Sequence, residues 1–327
     1  MKTQDPNLKD SSRRELLRRL VGAALGIAGA GALGLAFWDR KGPLPGPLGA
    51  ESQPLPDFSI PGQPRKIAIA HGAERGVTVT AALAALGGMG RFVRPGDRVL
   101  LKVNAAFASP PALGATTHPD LVAQVARLCF EAGAAGIVVT DNPINDPAAC
   151  FALSGIEAAA RAVGAQVLLP TRERFETYTL PGAKLIQRWP VLAAPLRGAN
   201  KVIGLAPVKD HHRSGASLTL KNWYGLLGGR RNIFHQQIHA IIEELAQLIK
   251  PTLVILDGTQ SMMRNGPTGG SVDDLKPTHT LIAGTDPVAV DAAGAELLGK
   301  SVTDLPYLTM AEKAGAGRTD YRSILVE

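Results

Sequence analysis

Three runs of this chain are apolar at nearly every position: I-V-V-T at 137–140, V-I-G-L-A at 202–206 and L-V-I-L-D at 253–257. A strand with one face in water alternates polar and apolar residues; these do not, so both of their faces must be covered. Ala- and Leu-rich stretches of helical length separate them. Alternation of such strands and helices predicts an α/β fold, a mainly parallel sheet with helices on both faces and right-handed crossovers. Strands are expected at 66–71, 98–103, 136–141, 166–169, 201–206, 253–257 and 280–283. Helices are expected at 77–89, 118–132, 155–163, 217–227 and 287–298. The roughly 260 residues from Arg65 to Glu327 suit one large domain or two lobes. In such folds ligands sit outside the carboxyl ends of the strands.

The first 41 residues read differently. S-R-R-E-L-L-R at 12–18 precedes an apolar, Gly- and Ala-rich run of 18 residues at 20–37. A basic region, adjacent arginines and a weakly hydrophobic segment are the layout of a twin-arginine export signal. Leu48-Gly49-Ala50 is a poor cleavage site, and Phe37-Trp38 could lie at a membrane interface. A run of this length reaches the lower limit for a spanning helix. The expectation is a body on the periplasmic side of the inner membrane, soluble or anchored by residues 20–37, with the twin-arginine translocon as a partner. Seven prolines in 42–64 then predict an extended, semi-rigid spacer. Cys129 and Cys150 are the two cysteines of the chain, too few to ligate an iron–sulfur cluster.

Charge is concentrated. The chain carries +7. Residues 1–41 hold eight basic and four acidic residues, and the 31 residues from Lys209 to His239 hold five cations against Asp210. Four of the seven histidines fall in the same strip, at His211, His212, His235 and His239. Lys221 and Asn222 lie on its helical part, and Gly228-Gly229 precedes Arg230 and Arg231. Glycine-exposed backbone donors beside arginines suit an oxyanion; solvated surface charge is the bland alternative. His235 and His239, four residues apart, could chelate a divalent metal from one helix face, with Asp257 or His211 and His212 as further ligands. Gln236 stands where a zinc protease has its glutamate, so no such protease is read. The body carries only +3 and aromatic residues are 5%, which argues against nucleic-acid binding.

Other polar motifs also follow strands. Lys102 and Asn104 end L-K-V-N, and Thr117 and His118 open a helix before Pro119, as caps or as anion ligands. Asp141-Asn142-Pro143 follows the strand I-V-V-T, where a carboxylate could bind a ligand, but it suits ordinary turn chemistry better. Asn265 and Gly266 begin the Gly-rich loop N-G-P-T-G-G, which lacks the ending of a P-loop. Asp286 precedes Pro287, either as a helix cap or as a ligand. Asp291, one turn on, needs a partner if buried.

L-K-V-N, G-A-T-T-H-P, S-L-T-L-K-N-W-Y-G-L-L-G, L-D-G, N-G-P-T-G-G and A-G-T-D-P-V-A-V-D-A occur in this order. Together they resemble the bacterial and archaeal domain-of-unknown-function family three-six-two, over residues 98–308. Members often bear an iron–sulfur label because some carry a ferredoxin module; the cysteine count does not allow that cluster here. The resemblance implies a shared α/β core and no settled activity.

Two functions compete. The first is an enzyme with a metal or an anionic organic cofactor or substrate, redox-linked, in which His211, His212, Lys221 and Asp257 do the chemistry. Lys102, Asn104, Thr117, His118, Asn222, Arg230, Arg231, Asn265, Gly266 and Asp286 would then bind the ligand. The second is a binding or assembly factor whose partner is an exported redox protein. A weaker third, a His-and-Lys proton-transfer site as in hydroxy-acid racemases, rests on H-H-x-x-x-G at 211–215.

Overall fold

Side chains alternate across a strand, and here both alternating sets are apolar. Leu100, Val202, Val254 and Leu256 enter one buried cluster, while Val99, Leu101, Ile203, Leu253 and Ile255 enter another. A computed structural model describes residues 6–36 and 52–326. Its strands are β1 (Ile67–His71), β2 (Arg98–Lys102), β3 (Gly136–Thr140), β4 (Gln166–Val167), β5 (Phe175–Tyr178), β6 (Trp189–Leu192), β7 (Lys201–His211), β8 (Gly215–Ser217), β9 (Leu253–Met262), β10 (Leu275–Gly284) and β11 (Leu325–Val326). The helices are α1 (Pro6–Ala36), α2 (Arg75–Ala85), α3 (Pro119–Glu131), α4 (Pro147–Leu153), α5 (Ile156–Ala162), α6 (Ala194–Gly198), α7 (Thr219–Asn222), α8 (Ile238–Leu248), α9 (Pro287–Leu297) and α10 (Pro306–Lys313).

The main sheet runs β11-β1-β10-β9-β7-β2-β3-β4, with β8 paired to β7 as its ninth strand. Pairs β2–β3, β2–β7, β3–β4, β7–β9 and β1–β11 are parallel; β1–β10, β10–β9 and β7–β8 are antiparallel. The fold is α/β and mostly parallel, with helices on both faces. Val79 and Leu83 of α2, Leu121 and Val125 of α3 and Ile156 of α5 pack on one side. Ile241, Ile242 and Leu245 of α8, Val288 of α9 and Tyr307 and Leu308 of α10 pack on the other.

Three departures from the expected elements shape the site. Strand β7 continues to His211 rather than ending at Ala206, because residues 209–211 find a partner in β8. Strand β9 likewise runs to Met262, paired to β10. The helix expected at 217–227 is short: α7 spans four residues and a 3-10 turn (Trp223–Leu226) follows. Asp291 of α9 finds its partners at the start of α7, accepting from the backbone of Thr219 (2.8 Å) and Leu220 (3.0 Å) and from the Thr219 hydroxyl. Its partners are therefore neutral donors rather than a cation, and burial pushes its carboxyl up to about 7.

The N-terminal helix forms a unit of its own. Its segment Arg14–Ala36 is long and apolar enough to cross a membrane. Phe37, Trp38 and the Leu48-Gly49-Ala50 motif lie outside the described residues. The spacer does not run free to residue 64. Gln53 accepts from Arg197 at 2.6 Å, and the backbone N–H of Phe58 donates to Lys250 at 3.0 Å. Phe58 itself is 2% exposed and joins the core. Truncating Phe58→Ala removes a buried ring and is expected to cost about 3–5 kcal/mol, read as a lowered urea midpoint together with new proteolytic cleavage near residues 52–60.

Candidate functional site

The carboxyl ends of β2 and β3 bring two buried charges together. Lys102, fully buried, pairs with Asp141 at 2.7 Å. Its ammonium also donates to the carbonyls of Val103 (2.7 Å) and Asn222 (2.9 Å). The second oxygen of Asp141 accepts from the Ala105 backbone at 2.7 Å. A buried charge is tolerable only when paired and hydrogen-bonded, and this pair is both. Asp141 is thus a structural ion-pair partner and more than a turn residue. Gly225 closes over it: a Cβ there would lie 1.9 Å from the Asp141 carboxylate and 2.8 Å from the Lys102 ammonium.

Two further lysines face the cavity beside this pair. Lys209 and His211 are two apart on β7 and so share a face. Lys209 is 1% exposed and donates to Ala115 at 2.7 Å and, at 3.5 Å, to Asn104. Lys221 lies on α7 with its ammonium 5.1 Å from the Tyr224 ring centre. It has no hydrogen-bond acceptor or counter-ion among the described residues. Burial and the neighbouring Lys221 bring Lys209 down to about 7. Burial and Arg231 bring Lys221 down to about 8. Lys209, Lys221 and Arg231 line a cavity of about 70 Å³ whose one carboxylate, Asp141, is paired with Lys102.

The histidines divide. His211 is buried, and its Nδ1 accepts from the backbones of Arg213 and Ser214, both at 3.2 Å. Its single proton therefore sits on Nε2. Burial and the lysine charges drive its pKa to about 2, so it is neutral at any working pH. The His235 Nδ1 faces the Asn232 carbonyl at 3.1 Å and so carries the proton, leaving Nε2 as a base. Both rings line the cavity and stack 5.8 Å apart, while exposed His212 stacks on the outside of His211 at 5.1 Å. His239 is elsewhere, stacked on Tyr307 at 6.1 Å. The 3-10 turn Arg231–Gln237 gives way to α8 between His235 and His239, which removes the one-face register of a single α-helix. Parallel imidazole planes also keep the lone pairs of His211 and His235 from converging. Among the described residues no group of three or more His, Cys, Asp or Glu could hold a metal ion.

The remaining expected ligands have local duties. Asn222 receives Lys102 and donates to the carbonyls of Lys102 and Leu205. The Thr117 hydroxyl ties the Asn104 backbone to Leu205. Arg231 donates to four carbonyls, those of Tyr224, Leu227, Asn142 and Pro143, so it contributes charge rather than a free fork. Arg230 stands beside it, partly buried. Asn265 is bonded to Asp274 at 2.7 Å, and Gly266 passes so close to Asp210 that a Cβ would collide with its carbonyl. Their loop brings Pro267 to the cavity wall. Asp286 caps α9 through Ala289 and also accepts from Arg65 and Arg318, away from the cavity. His118 and Asp257 line a second cavity, where Asp257 pairs with Arg75 at 2.7 Å.

Lys209, Asp141 and Tyr224 line the cavity but were not among the expected catalytic or binding residues. A lysine three residues past an apolar strand was the available signal for Lys209. A carboxylate directly after I-V-V-T was the signal for Asp141. Nothing in the sequence marks Tyr224, whose hydroxyl binds the Arg231 carbonyl and faces His235 at 3.3 Å.

The family model "Domain of unknown function (DUF362)" matches residues 99–296, a span that holds the whole lysine–histidine cavity. A thylakoid-associated protein of Synechocystis sp. is 28% identical over 245 residues, 72% of this chain and 74% of that protein. Among solved structures, the lactate racemase apoprotein from Thermoanaerobacterium thermosaccharolyticum aligns with 14% identity and a TM-score of 0.33. That alignment covers 62% of this chain and 52% of that chain, about half its length.

Gly225→Ala places a methyl group inside the Lys102–Asp141 pair. The expected result is a loss of about 3 kcal/mol or more in a urea titration, because a buried pair is broken with both charges left in place.

Proposed function

This chain belongs to the DUF362 family, and we propose that it is an enzyme that binds a small organic anion between Lys209 and Lys221 and moves a proton on it. One observation carries this reading: a cavity walled by Lys209, Lys221 and Arg231 holds one carboxylate, Asp141, and Asp141 is already engaged by Lys102 behind the wall. Uncompensated buried ammonium groups are costly, and an anion bound between them removes that cost. The Lys221 ammonium, lacking any acceptor, is the first docking point. Lys209, near 7, can bind as a cation or exchange a proton.

The two imidazoles supply complementary roles. His235 presents an unprotonated Nε2, a base. His211 presents Nε2–H, a donor held in place by two backbone N–H groups at its other nitrogen. Proton transfer at the carbon beside a carboxylate needs a base to take the proton, here His235, and a protonated group to return one, here the Lys209 ammonium, while the cations and the His211 Nε2–H hydrogen bond hold the carboxylate and stabilise the enolate-like charge. The cavity admits only a few non-hydrogen atoms. These groups favour acid–base chemistry on an organic anion over a metal centre or a redox partner surface.

Anion affinity should follow lysine protonation. Lys221 at about 8 and Lys209 at about 7 lie below their ordinary value of 10.5, so both shed protons as pH rises through 7 to 8. Calorimetric titration with acetate and glycolate is expected to show binding at pH 6 that weakens by up to ~tenfold per pH unit above pH 7. Lys221→Met should abolish it. Affinity that is flat from pH 6 to 9, or equal in the variant, would sink the proposal.

For location, we propose export by the twin-arginine route, supported by Arg13-Arg14 and by the apolar segment Arg14–Ala36. Cell fractionation should find the body outside the cytoplasm. Arg13→Lys/Arg14→Lys should retain it inside; a wild-type body found in the cytosol would overturn this.

A further inference from the structure

A second cavity, of about 390 Å³, is lined from four strands that run in one direction, beyond the ends of β1 and β2 and alongside the middle of β7 and β9. β1 and β9 are each antiparallel to β10 and so point the same way, and β7 and β2 follow β9 in parallel. Arg75, at the start of α2, follows β1. Thr116 and His118 follow β2, Pro207 comes from β7 and Asp257 from β9. None of the groups assigned above to proton transfer lines this cavity.

Its polar groups form a set of donors. Arg75 gives its Nε to Asp257 at 2.7 Å, and Asp257 is fixed in turn by accepting from the Thr259 backbone at 2.9 Å. That leaves the two terminal amino groups of Arg75 without an acceptor among the described residues, in an orientation set by the ion pair. The His118 Nδ1 accepts from the Asp120 backbone at 3.3 Å, so the neutral ring carries its proton on Nε2. Burial, and then the charge of Arg75, lower its pKa and keep it neutral. Thr116 is 3% exposed, lines the cavity, and its hydroxyl has no partner. A buried hydroxyl without a bond is unusual enough to require a reason. Apart from the exposed Gln260, the rest of the wall is apolar, with Pro111, Ala112, Pro207, Val272, Leu275 and Pro277.

We propose that this cavity is a second small-molecule site, and that it takes a monocarboxylate with an apolar body. The paired amino groups of Arg75 match the two oxygens of a carboxylate. The Thr116 hydroxyl and the His118 Nε2–H complete its hydrogen bonding, and the proline and leucine walls cover the carbon skeleton. Charge selects carboxylate over phosphate. Arg75 is balanced by Asp257 and His118 is neutral, so the wall has no surplus cation to hold a dianion. The volume lies in the range of small-ligand pockets, about 300–1,000 Å³, and far exceeds that of the lysine cavity. The two sites share one loop: Ala115 receives Lys209, while Thr116, the next residue, faces the second cavity.

Benzoate and hexanoate are the probes, titrated calorimetrically into the full chain and three variants. Thr116→Val removes a hydroxyl that makes no bond, so the ligand-free melting temperature should not fall. Arg75→Lys keeps the charge beside Asp257 but removes the fork. Binding of at least one probe is expected, weakened about tenfold in Arg75→Lys and about fivefold in Thr116→Val. Lys221→Met should leave it unchanged, which separates this site from the lysine cavity. The proposal is overturned if neither probe binds at ~10 mM, if binding survives both Arg75→Lys and Thr116→Val, or if Lys221→Met removes it. Inorganic phosphate that competes as well as benzoate would overturn the carboxylate assignment.

Discussion

The buried contact between Lys102 and Asp141 organises the rest of the site. It joins the ends of two parallel strands and, through the Lys102 ammonium, fastens the carbonyl of Asn222 on α7. Asn222 answers by donating to the carbonyls of Lys102 and Leu205, so β2, β7 and α7 are held by one network. Gly225 must be glycine for α7 and its following turn to come this close. Asp291 fixes the other end of α7 from α9. The position of Lys221 is therefore set from both sides of its short helix, which is how a long flexible side chain acquires a defined place.

The same network leaves the cavity with more positive charge than it can balance. Asp141 neutralises Lys102, and Arg231 is held by four backbone carbonyls, but Lys221 has only an aromatic face. The protein meets this by lowering proton affinity: Lys209 and Lys221 titrate near 7 and 8, and His211 does not charge at all. Such a site is set for an anion and for proton exchange around neutral pH. The second cavity follows the opposite design. Its one guanidinium is matched by Asp257, and its selectivity rests on directed donors rather than on net charge.

The fold was largely legible. The doubly apolar strands predicted a covered sheet, and the strand and helix starts at Arg98, Gly136, Lys201, Leu253 and Pro287 lie where local pattern puts them. The ends of β7 and β9 were not legible, because residues 209–211 pair with β8 and residues 258–262 with β10, partners distant from any local pattern. The site was half legible. Strip residues Lys221, Asn222, His211 and His235 do converge with Asn104, and Lys102 reaches Asn222 from behind. The His235–His239 spacing misled, since spacing means one face only on an unbroken α-helix and a 3-10 turn intervenes. Asp257, expected beside these histidines, belongs to Arg75 instead.

Sequence by itself determined what local chemistry determines: the burial of strands with no polar alternation, the capping of α9 by Asp286, the concentration of cations and histidines in one strip, and the apolar N-terminal helix. Tertiary structure decided which of those polar groups meet. Asp141 and Lys102 are 39 positions apart and Arg75 and Asp257 are 182 apart, and no local rule carries information over such separations. The sheet order places β2 between β3 and β7 and so delivers the first pair. The common direction of β1 and β9 delivers the second. Protonation was decided there too, because the fall of Lys209 and His211 below their ordinary values comes from burial and neighbouring charge, and both exist only once the chain has closed around them.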